Sequence, residues 1–422
     1  MDNIAGTPVE GENFFGRQRE VQRLLELLQQ HDVLLLGARR IGKTSIARAI
    51  LKALGDVDAR DVDASGTTEA IGDSAWLGIE VNVASCPDEK AFVEKLARAV
   101  AQNTQPTFQN PLGSLKDWLA QQFGRIDAVA VGGVRINLGA SGQGDWCQLA
   151  NQTLERMGAA SGRWLIFIDE LPIFLYNILN ADPSSGVQRV RRFLDWFRND
   201  VRALPACRNI RWLLCGSVGL DTLVQREGMA DTINSLKHEM LAPFDEDEAL
   251  AMLRKLAHRY EFSLSDEHLQ ALINAVHWPQ PYYLQLLFHH LRRSFGEHPE
   301  WPMQRLIESA MDAAVQPGAD NDFHHWEQRL LAQLGSIDGA HAQALLTLAA
   351  QSQVGYRAES LFVALQTRMP DENEQVQRAK FIALRDILLR DAYWALTESS
   401  DGRRYAFRLE LLRRWWHRRW QL

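Results

Sequence analysis

The sequence predicts an α/β fold built on a parallel sheet, followed by an all-helical segment and then by a segment of helices closed by a hairpin. Three observations carry this. Short, continuously apolar runs at 33–36 and 164–168, and the run IRWLLC at 210–215 with its single arginine, read as strands buried on both faces, as in a parallel sheet covered by helices. The first run passes through a glycine-containing turn into a helical stretch, 45–54, with Ile46, Ile50 and Leu51 on one side. From Leu241 the composition shifts to successive amphipathic helices, and the last 90 or so residues separate again.

With 422 residues the chain exceeds one ordinary core. We divide it into a leader (1–13), an α/β core (14–241), a helical lid (242–330) and a C-terminal domain (331–422). A charged content of 23% and a hydrophobic content of 46% are those of a soluble globular protein. A net charge of -7 argues against a surface built wholly to grip nucleic acid, while leaving room for a local basic patch. Cys86, Cys147, Cys207 and Cys215 are scattered without a C-x-x-C pair, which points to reduced thiols, a cytoplasmic protein and no zinc site. The N-terminus has no basic region followed by an apolar core, so no signal peptide is expected. No apolar run approaches the ~18 residues of a membrane span.

The turn after the first strand reads Gly37-Ala38-Arg39-Arg40-Ile41-Gly42-Lys43-Thr44, with Ser45 next, and fits G-x-x-x-x-G-K-[ST] at every fixed position. Its glycines let backbone N–H groups curl around an anion, and the helix that follows points its positive end at the same place. Lys43 is placed to reach the β- and γ-phosphates of ATP, and the Thr44 hydroxyl to sit on Mg2+.

Upstream, Phe14-Phe15-Gly16-Arg17 leads into a helix at 20–30. Phe15 either packs on an adenine or ribose, or staples the helix entry. Residues 55–74 read as a surface insertion, 76–83 as a strand, 88–102 as a helix, 115–123 as a short helix, 128–138 as a β-hairpin and 145–158 as a helix. The run Trp164-Leu165-Ile166-Phe167-Ile168 then ends in Asp169-Glu170, a buried strand delivering carboxylates at its C-terminal edge, where open α/β sheets bind ligands. Asp169 suits Mg2+, and Glu170 suits the orientation of an attacking water. We expect the strand tip carrying Lys43 and the tip carrying these acids to be neighbours across a triphosphate.

A basic amphipathic helix at 187–204 holds Arg189, Arg191, Arg192, Arg198 and Arg202, which form either a solvated face or the source of an arginine finger. The strand at 210–215 ends in Gly216-Ser217. Ser217 either contacts the γ-phosphate or caps the next helix. In the lid, helices are read at 247–260, 265–276, 282–295 and 301–316. Pro281 opens one whose N-terminus either faces the nucleotide or closes a tight turn. Helices at 341–350, 358–367 and 375–390 precede strands at 393–397 and 404–409 around Asp401-Gly402, which is the plan of a winged helix. The terminal helix interleaves arginines with Trp415, Trp416 and Trp420. It is either a DNA-contacting patch, or a packed face whose arginines pair with acids such as Asp386 and Glu410.

The order FFGRQREVQRL, GARRIGKTS, LIFIDELP, LLCGSVGL, LAPFDEDEA, PYYLQLL and YAFRLELLRRWW resembles the AAA+/STAND-type P-loop ATPases, and among them the archaeal-type ATPases with a C-terminal winged helix. The resemblance implies a parallel sheet of the additional-strand (ASCE) order, a helical lid and a winged helix. It implies ATP and Mg2+ as ligands, with Lys43 and Thr44 on phosphate and metal, Asp169 and Glu170 as the metal and water-activating acids, Ser217 as the polar sensor and Arg17 in the box before the P-loop. The family's second-sensor arginine is not evident near Pro281, where Tyr282 and Tyr283 stand. The sequence reading is therefore a slow ATPase that works as a nucleotide-dependent switch, with ATP between core and lid. The alternatives are a DNA-binding regulator with the P-loop as a ligand sensor, or a scaffold assembling with a protein partner or with itself in signalling or defence.

Overall fold

The computed structural model describes residues 1–60, 76–103, 146–159, 162–182, 184–216, 219–399 and 402–420. The expected helix at 115–123, the hairpin at 128–138 and most of the insertion at 55–74 lie outside them. The chain forms two compact units. One joins Arg17–Leu36 to Lys43–Met240; the other joins Met1–Gly16 and Gly37–Gly42 to Leu241–Leu422.

In the first unit, among the described residues, five parallel strands make one sheet: β1 (Val33–Leu36), β2 (Trp76–Asn82), β3 (Arg163–Asp169), β4 (Ile210–Cys215) and β5 (Lys237–Met240). Their order is β2-β3-β4-β1-β5, the arrangement of the ASCE P-loop NTPases. All four residues of β1 are buried, as the unbroken Val-Leu-Leu-Leu run requires. Asp32, just before it, pins its neighbours: its carboxylate accepts from Trp212 N at 3.0 Å, and its carbonyl accepts from Lys237 N at 2.9 Å. The edge strand β5 is largely exposed and reads Lys-His-Glu-Met, so it carried no apolar signal in the sequence.

The sheet order corrects one expectation. β1 and the acidic strand β3 are not neighbours, because β4 runs between and pairs with both. Helices Glu89–Asn103, Trp146–Ala159, Leu171–Ala181 and Gly186–Asp195 supply the covering core. Phe92 stacks on Phe174 at 5.3 Å and meets Phe193 edge-on at 5.0 Å. A π-helical turn at Trp196–Asp200 continues the helix of Gly186–Asp195, and its wider spacing goes with the burial of both Trp196 and Phe197.

The second unit begins its C-terminal part with helices Glu246–Arg259, Asp266–Val276, Pro281–Glu297 and Met303–Ala314. The first two start on reciprocal capping boxes, Asp245 with Glu248 and Ser265 with His268. The helix expected at 341–350 instead runs His324–Ala349, interrupted at Gly335, whose φ of 76° is open to glycine at little cost. Helices Ala358–Gln366 and Glu374–Arg390, the hairpin of β6 (Trp394–Ser399) and β7 (Gly402–Phe407), and helix Glu410–Trp420 follow, in the helix-then-hairpin order that the winged-helix plan expects. Trp415 and Trp416 are fully buried there. Trp420 is 38% exposed, so it does not share the packed face that its spacing suggested. No described helix is long and apolar enough to cross a membrane.

Candidate functional site at the P-loop and the acidic strand

The glycine pattern at 37–42 corresponds to three left-handed backbone positions: Gly37 (φ 155°), Arg40 (φ 67°) and Gly42 (φ 105°). At Gly37 a side chain would also crowd the Leu241 carbonyl, 3.1 Å from the site of a Cβ. At Gly42 a Cβ would meet open space, so the residue is fixed there by conformation rather than by room. Ile41 is buried and anchors the loop, while Arg39 is exposed. Helix Lys43–Arg60 starts at the motif's lysine. Ser45, with Ile46 and Ala47, is buried in its first turn.

Within the sheet unit, the Thr44 hydroxyl donates to Asp169 Oδ2 at 2.9 Å. Asp169 is 6% exposed at the end of β3. Burial raises its pKa, and the neighbouring Glu170 charge adds to that; the Thr44 hydroxyl, the Lys43 ammonium and the Glu170 N–H oppose it. The side chains of Lys43, Thr44 and Asp169 therefore converge even though their strands are not adjacent. Glu170 stands just beyond, in a left-handed conformation (φ 60°, ψ 35°), and its N–H donates to Asp169 Oδ1 at 3.0 Å. A non-glycine residue there costs on the order of 1 kcal/mol. Ser217 lies outside the described residues.

In the other unit, Arg40 makes two contacts that the sequence did not disclose. Its guanidinium pairs with Asp322 at 3.1 Å and lies 4.0 Å from the centre of the Tyr282 ring. The Tyr282 hydroxyl donates to the same Asp322 carboxylate. Tyr282 follows Pro281, which occupies the first turn of helix Pro281–Glu297. Behind them, burial, helped by the charges of Arg40, Arg39 and Arg329, pushes the His325 imidazole down to about 2, so it is neutral. Asp322 is far from the loop in sequence and sits in no motif. Nothing local marks it.

Phe15 meets Phe244 edge-on at 6.3 Å, and Lys255 lies 5.6 Å from its ring. Arg17 is nearly buried with φ 71°, directly before helix Gln18–Leu28, and pairs with Glu20 at 2.7 Å. Three of the five candidate finger arginines are engaged with acids too: Arg189 with Glu89, and Arg191 and Arg198 with Asp231. In the C-terminal helix, Arg413 and Arg414 pair with the buried Glu410, Arg414 also with Glu308 and Asp312, and Arg419 with Glu327. Arg385 pairs with Asp386 and Arg378 with Glu374.

The comparisons with known proteins concern the fold and the family. The chain is similar over 99% of its length to 99% of the Walker-type ATPase PABY2304 of Pyrococcus abyssi, at 14% identity and a TM-score of 0.58. It is similar over 97% of both chains to the ORC2 protein of Aeropyrum pernix, seen in ADPNP–ADP complexes, at 14% identity and a TM-score of 0.54. At such identities the likeness concerns the fold. No curated protein matches. The model of the family Novel STAND NTPase 1 matches residues 7–379. The chain belongs to that family of P-loop NTPases.

Proposed function

We propose that the protein binds ATP with Mg2+ at 37–45, hydrolyses it slowly, and uses the bound triphosphate as a conformational switch. The supporting observation is the Thr44–Asp169 hydrogen bond, which brings the P-loop's hydroxyl and a buried carboxylate into one small oxygen-donor set beside Lys43. Mg2+ prefers such a set: one or two hard protein oxygens, completed by water and phosphate. Among the described residues no group of three or more His, Cys, Asp or Glu is placed to hold a metal. Thr44 and Asp169 would hold Mg2+, which when bound neutralises charge developing on the phosphates.

The remaining roles belong to the chain's own residues. Backbone N–H groups of Gly37, Ala38, Arg39, Arg40, Ile41 and Gly42 cradle the phosphates, helped by Ser45 at the helix start. Lys43 meets the β- and γ-phosphates. Glu170, held at the strand tip, orients the attacking water, and Ser217 offers a hydroxyl to the γ-phosphate. Phe15 and Arg17 are the candidates for contact with adenine or ribose, and the helix that Pro281 opens is the candidate to present its N-terminus to the nucleotide. The switch reading rests on Arg40: a loop residue already paired to an acid has two possible partners once a γ-phosphate arrives, and a two-partner cation converts ligand charge into a change of contact.

The tail's arginines are largely matched to internal acids, which favours packing over duplex contact, so the DNA-regulator reading gains no support from them. ATP-dependent assembly with a partner remains part of the proposal. Lys43→Ala should abolish or severely weaken ATP binding, and unchanged affinity rejects the site. Glu170→Gln should retain ATP and lose turnover. Light scattering of that variant, with and without ATP, tests whether assembly follows the nucleotide.

A further inference from the structure

In the helical unit, a groove of about 660 Å3 runs along one face of the β6–β7 hairpin. Its floor is small: Ala395 and Ala406 face each other across the hairpin, followed by the pair Thr397 and Arg404. Trp278 forms part of the wall, and Arg408, just past β7, closes one end with its guanidinium 5.2 Å from the centre of the Trp278 ring.

Arg408 is unlike the arginines around it. Arg403 pairs with Glu398, Arg404 donates to the Gly355 carbonyl, and Arg413 and Arg414 share Glu410. The Arg408 guanidinium is half-buried, yet among the described residues it has no ion pair and no hydrogen bond, and burial alone lowers its pKa. Desolvating a cation without an anion destabilises a fold. A desolvated charged group lining a groove is a candidate site for an incoming counter-charge. The groove's charge also limits the class of anion. Phosphate backbones are held by several cations at once. Here, among the described residues, the Arg408 guanidinium has no hydrogen bond or ion pair, and the carboxylate of Glu398 also lines the groove. The floor of alanines lets a backbone approach closely, and the indole offers an apolar face beside the charge.

We propose that this groove docks an extended segment of a partner protein, whose single carboxylate is received by Arg408 against Trp278. The proposal does not depend on the nucleotide reading.

The test pans a phage-displayed library of random dodecapeptides on the full chain, with counter-selection on Arg408→Met. Enriched peptides should share an Asp or Glu beside an apolar residue. A synthetic peptide from that set should bind wild type at least tenfold tighter than Arg408→Met. Arg408→Lys should fall between, since an ammonium keeps the charge without the planar fork. The thermal midpoint of Arg408→Met should equal or exceed that of wild type, because an uncompensated cation has been removed. Failure to enrich, enrichment without an acid, or a lowered midpoint in Arg408→Met overturns the proposal. So does an Arg408-dependent complex with a 20-base-pair duplex that the enriched peptides do not displace, which would assign the groove to phosphates.

Discussion

Removing the Asp322 carboxylate should tighten ATP binding, although it deletes an ion pair. Arg40 and Asp322 meet at 3.1 Å, with about a fifth of each side chain exposed (20% and 23%). Hydrogen bonds to charged groups contribute about 1.5–3 kcal/mol net, and partial solvent access places this pair at the lower end. If a γ-phosphate recruits Arg40, binding must first surrender that contribution. In Asp322→Ala the contribution is absent from the free protein. The stacking of Arg40 on the Tyr282 ring at 4.0 Å is surrendered in both proteins and cancels from the difference. The net expectation is about 1 kcal/mol, or roughly a five- to tenfold lower Kd for ATP. Isothermal titration with ATP and with ADP, both with Mg2+, reads this directly. ADP, which has no γ-phosphate, should gain less than ATP. Tyr282→Phe should move ATP affinity slightly the other way, since Asp322, having lost the competing hydroxyl, holds Arg40 more strongly while the ring remains. A weaker or unchanged ATP affinity in Asp322→Ala refutes the competition, and means that Asp322 positions Arg40 rather than restraining it.

Other expectations follow from single residues. Glu410 is 3% exposed; burial would raise its pKa, but the hydrogen bonds and charge of Arg413, with help from Gln353 and Arg414, hold it below the usual carboxylate value. Its stabilising contribution is therefore full above the unfolded-state pKa and is lost as pH falls through the lower folded value. Glu410→Gln should cost about 2–3 kcal/mol near neutrality, below the full cost of a broken buried pair because Arg414 keeps Glu308 and Asp312, and it should flatten the acid limb of a thermal-melt series. Asp32 has the opposite sign. Burial raises its pKa above the unfolded value, so the fold favours its protonated form, and the associated stability is lost as pH rises through that interval. Asp32→Asn keeps an acceptor for the Trp212 N–H and should raise the melting temperature at pH 7 while leaving it nearly unchanged at pH 3. Gly355→Ala should disrupt the wing, because a Cβ there would fall 2.2 Å from the Tyr405 carbonyl oxygen at a φ of 73°; loss of the winged helix's protection in hydrogen exchange is the measurement.

How much was legible in the chain depended on how local the cause was. The P-loop could be read because its glycines answer a backbone requirement that any such loop imposes, and the structure has Gly37 and Gly42 at positive φ. The acidic pair could be read because an apolar run ending in two carboxylates marks a strand tip. By contrast, β5 is an edge strand of polar residues, with no buried face to write a pattern into the sequence. Trp420 carried the right spacing for burial, but spacing defines a helix face and not where the packed surface ends.

The sequence by itself determined the strand–loop–helix, the strand ending in Asp169 and Glu170, and a helical C-terminal part following the parallel sheet, since periodicity and turn chemistry act over a few residues. Only the tertiary structure decided that β4 separates β1 from β3, that Thr44 and Asp169 touch across that gap, that Asp322 takes Arg40, and that Arg408 has no acid among the described residues. Those facts depend on which distant segments share a low-dielectric space. Pairing and desolvation there are set by distance in space, which separation along the chain does not encode.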